Sequence, residues 1–191
     1  MPQQFEHVIV LLGFIFGLAL TQLLASVSDL IHARDRVRFS WLHAVAMLLA
    51  LTFFFANWLA LWDMRRVSEW SVADVLSFLI VGGNQYFVCS LVSMSVPSQG
   101  KVDMVEFADR QTTPFLISVA ALHIVAMLTN YQFHKAYGEA APWLEQNLTI
   151  LPMLVATLAA IAVRRSSFRI AAIALQIVIA SAFAANFTFQ S

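Results

Sequence analysis

Charge is what this sequence has least of. Of its 191 residues only 12% are Asp, Glu, Lys or Arg, against 60% hydrophobic, and the mean hydropathy is +0.77. A water-soluble domain carries about a quarter charged residues, so a soluble globular fold is excluded. The eleven basic and eleven acidic residues cancel, and nothing suggests a nucleic-acid partner. Cysteine occurs once, as Cys89, so no internal disulfide can form; inside an apolar run it reads as a small packing residue. Signatures of chemistry are missing too. There is no Gly-x-Ser-x-Gly, no phosphate loop and no His-Glu-x-x-His, and carboxylates occur only at the ends of apolar runs. A membrane hydrolase or phosphotransferase lacks its parts, and a proton- or sodium-coupled pump lacks the acidic residue of its ion path. We therefore expect no enzyme, no bound cofactor and no dedicated metal.

What remains is apolar length. Residues 7–29 form an uninterrupted stretch of about twenty apolar residues, the helix length that crosses a bilayer core. Glu6 precedes it in place of a basic n-region, and it exceeds a signal-peptide core, so it is expected to stay in the mature chain. Further spans are read at 41–62, 72–96, 113–131, 142–163 and 168–189. The expected fold is all-α: one polytopic membrane domain, a bundle of six transmembrane helices with short loops.

Local signals bound these spans. Ser40 is placed to N-cap the second, and Ser71 with Asp74 makes a capping box for the third. Trp41, Trp58 and Trp62 suit the aromatic belts at headgroup depth. Residues 102–111 set Met104, Phe107 and Ala108 against Asp103, Glu106 and Asp109, which predicts a short interfacial helix. Thr113-Pro114 then opens the fourth span, and Pro152 is expected to bend the fifth. Eight of the eleven Lys and Arg residues fall in the loops after spans one, three and five, counting Arg169 at the start of the last span with the third of these. By the positive-inside rule those loops are cytoplasmic and both termini lie outside.

Gly17-Leu-Ala-Leu-Thr-Gln-Leu-Leu24, the basic turn before Trp41, and Phe107-x-x-Arg110 before a span resemble a family of small bacterial multi-span inner-membrane proteins of uncharacterised role. The resemblance implies a bacterial cytoplasmic membrane and carries over no activity, ligand or site residue.

Candidate residues fall into four groups. Gly13, Gly17, Thr21 and Ala25 recur every four residues and make a smooth packing face on the first span, for self-association or for contact with Ala172, Ala180 and Ala184 of the last. Gly82-Gly83-Asn84-Gln85-Tyr86 stands mid-span, either as a broken helix beside a ligand or as an intact helix whose glycines admit a neighbour and whose amides bond across the bundle. With Gln22, Asn57, His123 and Gln176, those three polar residues are candidates to line a polar pocket at mid-depth. Gln22 and Gln176 share a depth by helix rise and could bond each other. His123, with His43 nearer the basic side, offers imidazoles for haem or a quinone. On the opposite side Glu6, His7, His134, Glu139 and Glu145 are donors of metal-ligand type without a metal-motif spacing; His7 and His134 are the candidates among them. Asn147-Leu-Thr149 fits the glycosylation acceptor pattern, which matters only for a chain on a eukaryotic secretory route and is set aside.

The leading expectation is a small channel, carrier or ligand-binding membrane protein. The alternatives are a non-enzymatic scaffold or complex subunit acting through helix-packing faces, with a homo-oligomer or membrane complex as partner beside the lipid bilayer, and a haem- or quinone-holding redox subunit.

Overall fold

Inside a bilayer no water is available to bond backbone N–H and C=O groups, so a chain that enters one satisfies them as helix. The computed structural model describes residues 3–63, 70–137 and 143–186, and most of these are helical. The helices are α1 (Gln3–His32), α2 (Trp41–Asp63), α3 (Val72–Val92), α4 (Met104–Tyr137), α5 (Trp143–Gln146), α6 (Ile150–Ala162) and α7 (Ser166–Ala185). Five of them, α1, α2, α3, α4 and α7, are long and apolar enough to cross a membrane. The protein is an all-helical, multi-pass chain built for lipid contact. A two-residue parallel pair, β1 (Val37–Arg38) with β2 (Val102–Asp103), links two of the connections.

Helices α3 and α2 occupy the middle of the packing. α3 lies against α1, α2 and α4; α2 also meets α7, and α6 fills between α4 and α7. The main core joins Leu49, Val88, Phe115, Leu116, Val119 and Ile173 from four helices. A smaller cluster, around Leu12, Phe16, Phe54 and Phe78, fastens α1 to α2 and α3, with the Phe16 and Phe54 rings 5.4 Å apart.

α1 and α3 run parallel in a constant register. Gln22 bonds Ser90 and Ser26 bonds Met94, each a separation of 68 residues. In keeping with that offset, a Cβ built on Gly82 would meet Leu12 at 3.3 Å and Phe16 at 3.6 Å. Gly82 thus faces α1 closely, and a larger residue there would make Leu12 shift by a few tenths of an ångström. Gly83 meets nothing within 4 Å, and α3 continues unbroken through both glycines.

Several expected boundaries are corrected. Residues 102–111 are not a separate interfacial helix, and Thr113 is not the cap of the fourth span. α4 is continuous over 34 residues because Asp103 caps it: one carboxylate oxygen accepts from the N–H groups of Val105 and Glu106 at 2.9 and 3.0 Å. Pro114 sits inside that helix and leaves only the Arg110 carbonyl without its usual donor. The fifth span is not one helix over 142–163. The chain makes α5, a turn and then α6, whose 13 residues extend only about 20 Å. Asn147 forms the turn, its carbonyl accepting from the N–H of Ile150 and of Leu151. Pro152 therefore falls in the first turn of α6, where its missing N–H matters least, and bends nothing. The third span ends at Val92, short of 96. Ser40 and the Ser71–Asp74 capping box stand as read. Arg65, Arg66, Glu139 and the end of the last span lie outside the described residues.

A latch closes the basic side between α1–α2 and α3–α4. Arg36 donates to the carbonyls of Pro97 at 2.7 Å and Gly100 at 2.8 Å, and Arg38 pairs with Asp103 at 3.0 Å. Hydrogen bonds from the α4 backbone, foremost Glu106 N–H, and then Arg38 hold the Asp103 carboxyl below its ordinary value of 3.8. A carboxyl lowered by folding adds stability above its unfolded value, and that contribution is lost as pH falls through the folded one. The latch should therefore hold at neutral pH and loosen on acidification below about 4. Melting curves of wild type and Asp103→Asn between pH 3 and 7 check this: wild type should lose stability in that window more steeply than the variant.

Candidate functional site

A polar side chain at mid-depth in a membrane helix needs a partner, because an unmatched amide in apolar surroundings costs several kcal/mol. Of the seven residues picked out for a pocket, the five amides find such partners on neighbouring helices. Asn57 Nδ2 donates to Gln85 Oε1 at 2.8 Å, and Gln85 Nε2 donates to the Ala50 carbonyl at 3.3 Å, so two amides join α2 to α3. Asn84 donates to the Ser118 carbonyl at 3.0 Å while Ser118 Oγ donates back at 2.9 Å, joining α3 to α4. Gln176, fully buried, accepts from Thr157 Oγ1 at 3.0 Å and joins α7 to α6. Gln22 donates to Ser90 Oγ at 3.1 Å. Hence Gln22 and Gln176 share a depth but not a bond: one faces α3, the other α6. Tyr86 packs its ring at the edge of the core. These seven residues are shared out over several helix contacts and do not converge.

The two histidines differ. His43, 2% exposed, donates from Nε2 to the carbonyl of Val92 at 2.8 Å, capping the last residue of α3. Its Nδ1 has no partner, and the side chain lines a cavity of about 10 Å³, room for one water, with Phe107, Gln111 and Thr112. His123 is 4% exposed, and among the described residues neither ring nitrogen has a partner of good hydrogen-bond geometry, the Val119 carbonyl being the polar group nearby. Phe53 meets its ring edge-on at 5.3 Å. With Nε2 of His43 engaged by Val92, the pair is not set up as two axial haem ligands.

Gly13, Gly17, Thr21 and Ala25 point away from the bundle. All four are exposed, and a Cβ at either glycine would meet nothing within 4 Å. The contact with Ala172, Ala180 and Ala184 is not made; Ala172 and Ala180 are buried on α7, which packs on α2 and α6. A shallow groove of about 370 Å³ follows the glycines, walled by Val10, Phe14 and Leu18. Among the metal candidates, Glu6, His7 and Glu145 are exposed, and the side chain of His134 lies outside the described residues.

Sequence reasoning passed over three residues. Arg169 was counted as loop charge, yet it is 5% exposed in the first turn of α7. Its place one turn beyond Arg165, within an apolar run, was the available signal. Asn147, read as a glycosylation acceptor, is fully buried and accepts from Asn130 Nδ2 at 3.1 Å, so no glycan could be attached there in this fold. Asn130 carried no signal beyond being an amide near a span end.

An all-helical chain with five span-length apolar helices is the class that fold and polar network define. Comparison with known protein families, curated proteins and solved structures finds no match.

Gln85→Leu should strand Asn57 and destabilise the protein by about 1 kcal/mol, the upper range of measured interhelical polar bonds in membranes. Asn57→Leu with Gln85→Leu should recover part of that loss. Unfolding in detergent micelles, taken as a double-mutant cycle, reads the coupling.

Proposed function

We propose that this protein is a non-enzymatic scaffold or complex subunit, held in a bacterial cytoplasmic membrane with both termini outside, the short α5–α6 segment beside α4 adding a sixth crossing to the five span-length helices, that assembles through the glycine-lined face of α1. The observation that carries the reading is the outward groove at Gly13 and Gly17. Small residues on a membrane helix let a second backbone come close, and close packing is a main source of association where lipid is as apolar as the side chains. Support for a channel, carrier or ligand-binding pocket is weaker, because its candidate lining residues hold one another across helix contacts.

Gly17→Leu tests the proposal, since the position is exposed and a Cβ there meets nothing within 4 Å. The variant should keep the melting temperature of wild type while losing its homo-oligomer or co-purifying partner, read by native mass spectrometry of the solubilised protein. A wild-type monomer without partner, or an assembly indifferent to the substitution, sinks it.

One observation favours a second reading, a haem- or quinone-holding redox subunit: the unmatched imidazole of His123. If so, the purified protein shows a Soret band or extractable quinone, and His123→Leu abolishes it. Colourless, quinone-free protein removes this reading.

A further inference from the structure

Arg169 is the single buried Asp, Glu, Lys or Arg side chain among the described residues. Its Nε–H donates to the Ala160 carbonyl of α6 at 3.1 Å, and Nη2 donates to Thr113 Oγ1 of α4 at 2.9 Å. Two edges of the guanidinium are thereby fixed. The third nitrogen, Nη1, has no acceptor among the described residues and is not fully enclosed, so it is the open part of the group.

What this cation lacks is a counter-charge. No carboxylate of the described residues forms an ion pair with it. Asp109 acts on it from a distance, and Arg164, of like sign, opposes that influence. Taking a cation out of water without a paired anion is costly, and a guanidinium held at Nε and Nη2 keeps the N–H groups of Nη1 free to donate to an anion such as a phosphate oxygen. Its surroundings favour the same ligand. Arg164 and Arg165 are exposed in the turn before α7. The Arg165 side chain does not cap that helix, so the first-turn N–H groups add positive potential. Val163 and Phe168, 43% and 39% exposed, stand beside the turn as apolar surface for an acyl chain.

We propose that the junction of α4, α6 and α7 is a phosphate-binding site, in which Arg169 donates from Nη1 to a phosphate oxygen and Arg164 and Arg165 close over it from the rim. The phosphate can belong to an anionic phospholipid headgroup or to free phosphate; the neighbouring apolar surface favours the lipid.

Full-length protein in nanodiscs of phosphatidylcholine with phosphatidylglycerol tests this, with retained lipid counted by native mass spectrometry. Wild type should retain phosphatidylglycerol over phosphatidylcholine by about fivefold or more, the preference expected of one basic residue near the headgroups. Arg169→Gln should bring the two lipids near parity, and Arg164→Gln with Arg165→Gln, both at exposed positions, should lower the preference in part. A separate arm compares melting in sodium phosphate and in sodium chloride at equal ionic strength. Stabilisation by inorganic phosphate that depends on Arg169, without lipid preference, supports the site and assigns it to the free anion. Parity of the lipids in wild type with no response to phosphate overturns the proposal, as does equal preference in Arg169→Gln. Should Arg169→Gln fail to fold, the rim variant decides: a preference it leaves unchanged overturns the proposal.

Discussion

The structure depends on one constraint: every amide carried into the apolar interior must meet another polar group on a neighbouring helix. Asn57 with Gln85, Asn84 with Ser118 and Thr157 with Gln176 each join a different pair of helices. None of these bonds contributes much energy, since such pairs in membranes average well under about 1 kcal/mol. Their effect is on alignment. A helix that slid by one turn would leave its amide unmatched, so the set fixes the relative heights of α2, α3 and α4 and, separately, of α6 and α7, while apolar contacts around Val88, Phe115 and Ile173 supply most of the cohesion.

The same logic accounts for the helix ends on the basic side. The carbonyl of Val92 is met by His43, the backbone at Met94 by Ser26, and the start of α4 by Asp103. Asp103 serves two neighbours, capping α4 and pairing with Arg38, which ties the two helical pairs together where the chain leaves the apolar layer. Near the start of α7 Arg169 does comparable work for α6, donating to one of its last carbonyls, that of Ala160.

Much of this was legible from residue order. Apolar length located α1, α2, α3 and α7, and Ser40 and the Ser71–Asp74 box gave two starts, because capping is a local matter between residues three apart. The start of α4 was misplaced because Thr113-Pro114 looks like a helix opening, whereas Asp103, one turn before an already periodic stretch, outcompetes it. α6 was misread because the buried turn at Asn147 depends on Asn130, a residue 17 positions away. Polar partners were hardest to foresee. Helix rise gives depth but not the direction a side chain faces, which is why Gln22 and Gln176 could be set at one level and still belong to different contacts.

The parallel register of α1 and α3 bears on how the chain is made. Gln22 and Ser26 find their partners 68 residues further along. At about 5–20 residues per second of synthesis, α1 spends roughly 3 to 14 s in the lipid before Ser90 and Met94 exist. During that interval its hydroxyl and amide are without the groups that later match them, and Gly82 has not yet arrived to seat against Leu12 and Phe16. A nascent first helix in this condition has reason to be held by the insertion machinery, and its final seat is filled only when the third helix emerges beside it.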